Sequence, residues 1–196
     1  MDESATRTID GVEAPVPGTW TFDPAHTKLS AVGRHMMITK VRGHFRDVTG
    51  TIRVGERPED SSVEVTIGAA SIDTGVERRD DHLRSADFMD VERFPTITFR
   101  STHIQREAGP RFKVTGDLTI RDVTRPIVLD VEYLGIEKAP WGDDLRIGFT
   151  ATGVLEREAF GMTWNAALET GGVLVSRTFQ LELDVQAKQE IATLVA

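Results

Sequence analysis

The chain has 196 residues, a formal net charge of −8, 39% hydrophobic and 28% charged residues, and no cysteine. That length fits one domain with a core of its own, and the lack of cysteine excludes disulfides, thiolate catalysis and Cys-ligated metal. The acidic balance argues against nucleic acid or an anionic membrane surface as the main partner, because the basic residues are scattered and mostly stand beside acids.

The first eighteen residues are polar and end in Pro15-Val16-Pro17-Gly18; they are expected to form a flexible arm. The arm has neither the basic start nor the apolar run of a secretory signal. No later run approaches the ~20 apolar residues of a membrane-spanning helix, so a cytoplasmic location is expected.

A two-residue beat then begins. Trp20 and Phe22 share a face and stop at Asp23-Pro24; Leu29, Ala31, Gly33 and His35 share the next. Val48, Gly50, Ile52 and Val54 follow, then Val63, Val65, Ile67 and Ala69. This is the period of a half-buried strand. The beat resumes at Ile97 and Phe99, continues through Phe112–Ile120 and Ile127–Tyr133, and recurs in Leu145–Gly153 and Phe179–Ala187. Turn-like separators lie at Gly55–Ser62, Ala108-Gly109-Pro110, Gly135–Asp144 and Thr170-Gly171-Gly172. Strands so close in sequence favour antiparallel pairing. The pattern predicts an all-β barrel or sandwich of about eight or nine strands, with short helices over Glu77–Ala86 and within Arg157–Glu169.

The inward faces mix large residues with small ones. A barrel of this size can be filled or can leave room for one ligand, and alternation alone leaves both open.

The long non-strand stretch from Ser71 to Pro95 is dense in charge. Asp80, Asp81, His82, Asp87 and Asp90 are its best acid–base or metal candidates, facing Arg78, Arg79, Arg84 and Arg93. Ion pairing and capping explain the same residues without chemistry. The five histidines have no metal-ligand spacing, and no GxSxG, GxGxxG or Walker loop is present. No catalytic or metal site is predicted.

Several segments, in this order, resemble the YceI-like family of polyisoprenoid-binding, lipocalin-like proteins. They are Phe22-Asp23-Pro24-Ala25-His26-Thr27, His35-Met36 through Lys40-Val41-Arg42-Gly43-His44-Phe45, Ser71–Gly75 with Arg79–Asp90, Phe94–Thr102, Gly116–Pro126 and Arg157–Met162. The resemblance implies an antiparallel lipocalin-like barrel of about eight strands over 19–189, with one or two short helices at its ends and a tail at 190–196. It also implies a non-enzymatic binder, store or carrier of a polyisoprenoid, isoprenoid quinone or similar lipid, often dimeric and often exported, with no cofactor beyond that lipid. Alternatives are a lipid-acting enzyme using Asp80–Asp90, or a stress-response module with a filled barrel.

The expected wall comprises Leu29, Ala31, Gly33, His35, Val41 and Phe45 early in the chain. Phe88, Phe99, Phe112, Phe149, Phe160 and Trp164 complete it. His35, Arg42 and Asp81 are candidates for orienting a head group. Ala31 and Gly33 stand where members of the family usually carry larger apolar residues, which implies a cavity wider near His35 or a different ligand.

Overall fold

The computed structural model describes residues 6–140, 144–169 and 171–190. The chain opens with a short hairpin, β1 (Thr6–Ile9) and β2 (Val12–Pro15), and continues through β3 (Gly18–Phe22), β4 (Lys28–His35), β5 (Thr39–Phe45), β6 (Val48–Val54) and β7 (Ser62–Gly68). A two-residue strand β8 (Ile72–Asp73) leads to helix α1 (Glu77–Arg84). The longer strands follow: β9 (Thr96–Arg106), β10 (Arg111–Ile120), β11 (Val123–Lys138), β12 (Leu145–Glu156) and β13 (Thr178–Gln189).

β3, β6, β7, β9, β10, β11, β12 and β13 close into an eight-stranded antiparallel barrel. Closure runs through β13, whose first edge pairs with β12 along its length. Its second edge is shared: Ala187–Gln189 pair with β3, and Gln180–Asp184 pair with β4. β4 then carries β5 and β8 outward as an extension of the wall.

The corner between β3 and β4 makes this split possible. Asp23 N donates to Gln186 O at 2.8 Å, and Thr27 Oγ1 donates to the same carbonyl at 3.2 Å. The Asp23 carboxylate accepts from Ala25 N at 3.1 Å, meets His26 Nδ1 at 2.9 Å and pairs with Arg146 of β12. Burial alone would push the Asp23 carboxyl up, but these bonds outweigh it and hold the pKa below its ordinary value. The Phe22–Thr27 segment is therefore a corner brace.

Residues 6–15 are a paired hairpin, contrary to the flexible arm expected for 1–18. Asp10 and Gly11 both take positive φ, +49° and +79°, between Ile9 and its partner Val12. Asp-Gly suits such a two-residue turn. Arg7 ties the hairpin to the barrel, donating to Gly55 O at 2.6 Å and Glu56 O at 2.7 Å, while Arg106 pairs with Asp10. The hairpin thus covers one barrel end, where Trp20, Ile147 and Ala187 are fully buried. Residues 1–5 and 191–196, from the expected arm and tail, lie outside the described residues.

Two further expectations change. Gly135 does not end a strand: β11 continues to Lys138 with a register shift between Tyr133 and Gly135, whose φ of +125° marks a bulge. Only Arg157–Phe160 of the second helical candidate is helical, as a single 3₁₀ turn ended by Gly161 at φ +77°. The α1 expectation holds over Glu77–Arg84.

Candidate functional site

The barrel interior encloses a cavity of about 800 Å³, within the roughly 300–1,000 Å³ of small-molecule sites. The barrel is therefore not filled. Its middle is walled by alternate residues of the long strands. β10 contributes Phe112 and Val114, β11 contributes Leu129 and Val131, β12 contributes Phe149 and Ala151, and β13 contributes Leu181 and Leu183. Strand pairing sets these side by side: Val131 lies opposite both Phe112 and Ala151.

Of the residues expected on the wall, Leu29, Ala31, Gly33, His35, Val41 and Phe45 line the cavity from β4 and β5, and Phe99, Phe112 and Phe149 line it from the long strands. Phe88 and Trp164 line it near α1. Phe160 does not. It is 2% exposed within the packed core, because the 3₁₀ turn carries it away from the cavity.

Gly33 does not widen the cavity. A Cβ built there would lie 2.5 Å from the Phe179 ring, so a large side chain of β13 already fills the gap. Gly50 and Gly153 likewise admit Phe22 and Leu129. These glycines make room for the large side chain opposite on the neighbouring strand, not for empty space.

The two ends differ. Beneath the hairpin, Ile9, Ala14 and Pro15 face the cavity, residues expected to lie in a loose arm. The Asp10-Gly11 dipeptide was their sequence signal. Tyr133 sits in the wall, 7% exposed, and its hydroxyl has no partner among the described residues. Burial pushes its pKa up to about 12, with Glu13 of β2 adding to the rise.

The other end carries α1, the β4–β5 turn and residues 162–169 and 171–176. His82, Phe88 and Trp164 form an aromatic cluster, with ring centroids 4.5 Å (His82–Trp164) and 5.5 Å (Phe88–Trp164) apart. Asn165 fixes the returning segment, donating from Nδ2 to Val175 O at 2.8 Å and accepting from Val175 N at 3.0 Å. Leu174 and Val175 join the wall there, a contribution invisible in a stretch that reads as turn. Arg34, His35, Val76 and Arg78 are cavity-lining and exposed, so this end is the mouth.

Arg157 is completely buried near this end. Its Nε donates to Ser176 O at 2.9 Å and its Nη1 donates to Met162 O, while its Cζ lies 5.9 Å from the Phe88 ring centre. Burial pulls its pKa below the ordinary value, offset in part by Glu158 and reinforced by Arg177. It staples the two passes of the chain that flank the mouth.

The candidate acid–base cluster does not converge. Asp80 is buried and accepts from Thr74 N at 3.0 Å and Thr74 Oγ1 at 2.5 Å. Asp81 is held by Arg84 at 3.0 Å, Asp87 by His82 at 2.8 Å and Asp90 by Arg93 at 3.3 Å. Among the described residues no three of His, Asp and Glu form a metal cluster. Arg42 and Asp81 do not reach the cavity: Arg42 alternates with the inward Val41 and Gly43 and pairs with Glu182 outside, and Asp81 lies on the exposed side of α1. Of the three head-group candidates, His35 alone is on the wall.

The YceI-like domain model matches residues 20–187. A UPF0312 protein of Staphylococcus aureus (strain USA300) is 36% identical over 169 residues, covering 85% of this chain and 95% of that protein. The crystal structure of Burkholderia cenocepacia BcnA superposes with a TM-score of 0.71 at 25% identity, covering 84% of this chain and 98% of that one. A Campylobacter jejuni YCEI protein superposes at 0.68 with 29% identity, covering 81% and 90% respectively. A polyisoprenoid binding domain from Saccharophagus degradans, implicated in plant cell wall breakdown, shares the fold at a TM-score of 0.61 and 13% identity, covering 89% and 100%.

Proposed function

The chain belongs to the YceI-like domain family, and from that membership and its cavity we propose that it binds, stores or carries a long apolar chain of polyisoprenoid type without converting it. The observation that carries this reading is the apolar cavity of about 800 Å³ running through the barrel. Each buried methylene contributes about 0.8 kcal/mol, so an isoprene unit of five carbons contributes about 4 kcal/mol before ordering costs. A few such units bind firmly without polar contacts. The Saccharophagus degradans domain that shares this fold is described as a polyisoprenoid binding domain, which supports the ligand class. The absence of conversion is supported by the carboxylates of 80–90, which are engaged in hydrogen bonds with Thr74 and in ion pairs.

Native mass spectrometry of gently purified protein tests the reading. The expected result is one co-purifying apolar chain per protein, or uptake of an added polyprenyl phosphate or isoprenoid quinone at that ratio. Protein that emerges empty and takes up neither probe refutes it. Chemical change of a bound probe would show the enzyme reading to be correct.

A further inference from the structure

The turn between β4 and β5 places an apolar tip at the cavity mouth. Met36, Met37 and Ile38 are 42%, 50% and 73% exposed, and Val76, ahead of α1, is 48% exposed. Met36 and Met37 both sit at positive φ, +52° and +61°, in a turn closed by Ile38 N donating to His35 O at 3.0 Å. Such turns favour Asn-Gly. Methionines there hold two large apolar side chains in water in a backbone conformation they rarely adopt.

The tip is anchored: Met36 N donates to Leu174 O at 2.7 Å, and His35 bridges Val175. Leu174, Val175, His35 and Val76 all line the cavity, so the tip and the mouth are continuous.

Charge around the tip opposes that of the whole protein. Arg34 and Lys40 face each other across the two strands, and Arg78 stands on α1 beside Val76. All three are exposed and have no ion-pair partner among the described residues. Arg42 adds nothing, because Glu182 neutralises it; Glu77 on α1 and Glu169 on the returning segment are exposed carboxylates with no ion-pair partner among the described residues, against three such cations. A chain of net charge −8 with a basic tip approaches an anionic surface tip first.

We propose that this corner docks on an anionic lipid bilayer. Met36, Met37 and Ile38 enter the interface, Arg34, Lys40 and Arg78 face the lipid phosphates, and an apolar chain passes between bilayer and cavity beside His35. The proposal rests on the cavity reading for its cargo. A second copy of the chain fits less well, since a two-fold contact would set the same cations against each other.

The test sediments full-length protein with vesicles of phosphatidylcholine and with an equal mixture of phosphatidylcholine and phosphatidylglycerol. Binding to the mixed vesicles alone is expected, weakening as salt rises. Lys40→Gln should weaken it about fivefold. Met37→Asp and Ile38→Asp should each weaken it about tenfold. The double variant Met36→Asn/Met37→Gly suits the turn, so it should unfold at a higher temperature and still bind vesicles less well, which separates docking from folding.

Nile red uptake without vesicles reads the cavity independently, and all these variants should load like the wild type. Wild-type protein that binds the mixed vesicles but takes up no Nile red refutes the cavity reading and leaves the dock standing. No binding to mixed vesicles at low salt overturns the dock. So does binding that the aspartate variants leave unchanged, or a dimer they abolish in a protein that ignores vesicles.

Discussion

Replacing Gly33 with alanine probes how the barrel interior is filled. The new methyl carbon would lie 2.5 Å from Cε1 and 2.8 Å from Cδ1 of Phe179. Ordinary carbon contacts lie at about 3.5–4.0 Å, so the overlap is about 1 Å and the ring must move. The cavity is the open volume available to it, and overpacking of this size costs about 1–3 kcal/mol. Alanine suits a strand better than glycine by about 0.5–1 kcal/mol, which leaves a net loss of about 0–2.5 kcal/mol. Phe179→Ala removes a ring that is only partly buried, so its cost is expected near 2–3 kcal/mol, below the roughly 3–5 kcal/mol of a fully buried phenylalanine. In the double variant the methyl no longer meets the ring, and the backbone preference cancels from the cycle. The expected coupling is about 1–2 kcal/mol in favour of the double variant. Urea unfolding midpoints at constant slope measure it, and Nile red uptake should fall in Gly33→Ala and recover in the double. Additivity within about 0.5 kcal/mol would refute the interlock and return Gly33 to the role of an open site.

Three other predictions concern the corner brace, the buried tyrosine and the carboxylates of α1. Asp23 titrates below its ordinary 3.8, so its bonds stabilise the fold above that pH and the contribution is lost as pH falls through the lower folded value. Asp23→Asn should cost about 1–2 kcal/mol at neutral pH and flatten the acid limb of stability against pH; an unchanged limb would remove Asp23 from the corner brace. Tyr133 is the single tyrosine of the chain, and its pKa of about 12 lies above the unfolded value. Stability linked to it is intact below about pH 10 and lost as pH rises toward 12, so phenolate absorbance in the folded protein should not appear near pH 10. Tyr133→Phe, which removes an unpartnered buried hydroxyl, should be neutral or slightly stabilising. Asp80→Ala strands Thr74 N and should cost about 1–3 kcal/mol with Nile red stoichiometry unchanged, whereas Asp81→Ala should stay within about 0.5 kcal/mol; lost loading at full stability in either would return the cluster to a functional role.

The long strands were legible because they are long enough to keep the beat past a single glycine: Phe112, Val114, Leu118 and Ile120 all reach the cavity, on either side of Gly116. β5 was harder to see, since Gly43 breaks its apolar side between Val41 and Phe45. The first hairpin carried a strong local signal in Asp10-Gly11, hidden by the prolines that follow it. Arg42 was misplaced although parity sets it opposite Val41. Gly33 was of another kind. What occupies the space beside a glycine is decided by a strand distant in sequence, here β13, and no local pattern contains that information.

The charged stretch from Ser71 to Pro95 shows why composition alone misleads about chemistry. α1 has eight residues, well under the ~12–15 that an isolated helix needs to persist in water. Its apolar contribution is small: Leu83 within the helix, then Phe88 and Met89 after it, turned toward the cavity. The remaining hold comes from side chains gripping backbone. Arg84 donates to Ala70 O at 2.9 Å and Ile72 O at 3.0 Å, and Arg79 donates to Thr74 O at 3.0 Å. Asp80 closes the same loop from the other side through Thr74 N. Each arginine can reach a carbonyl across a gap that a short apolar side chain would leave empty. A helix too short to stand alone is thereby fixed across the end of a hollow barrel without filling it, and the density of charge follows from that requirement.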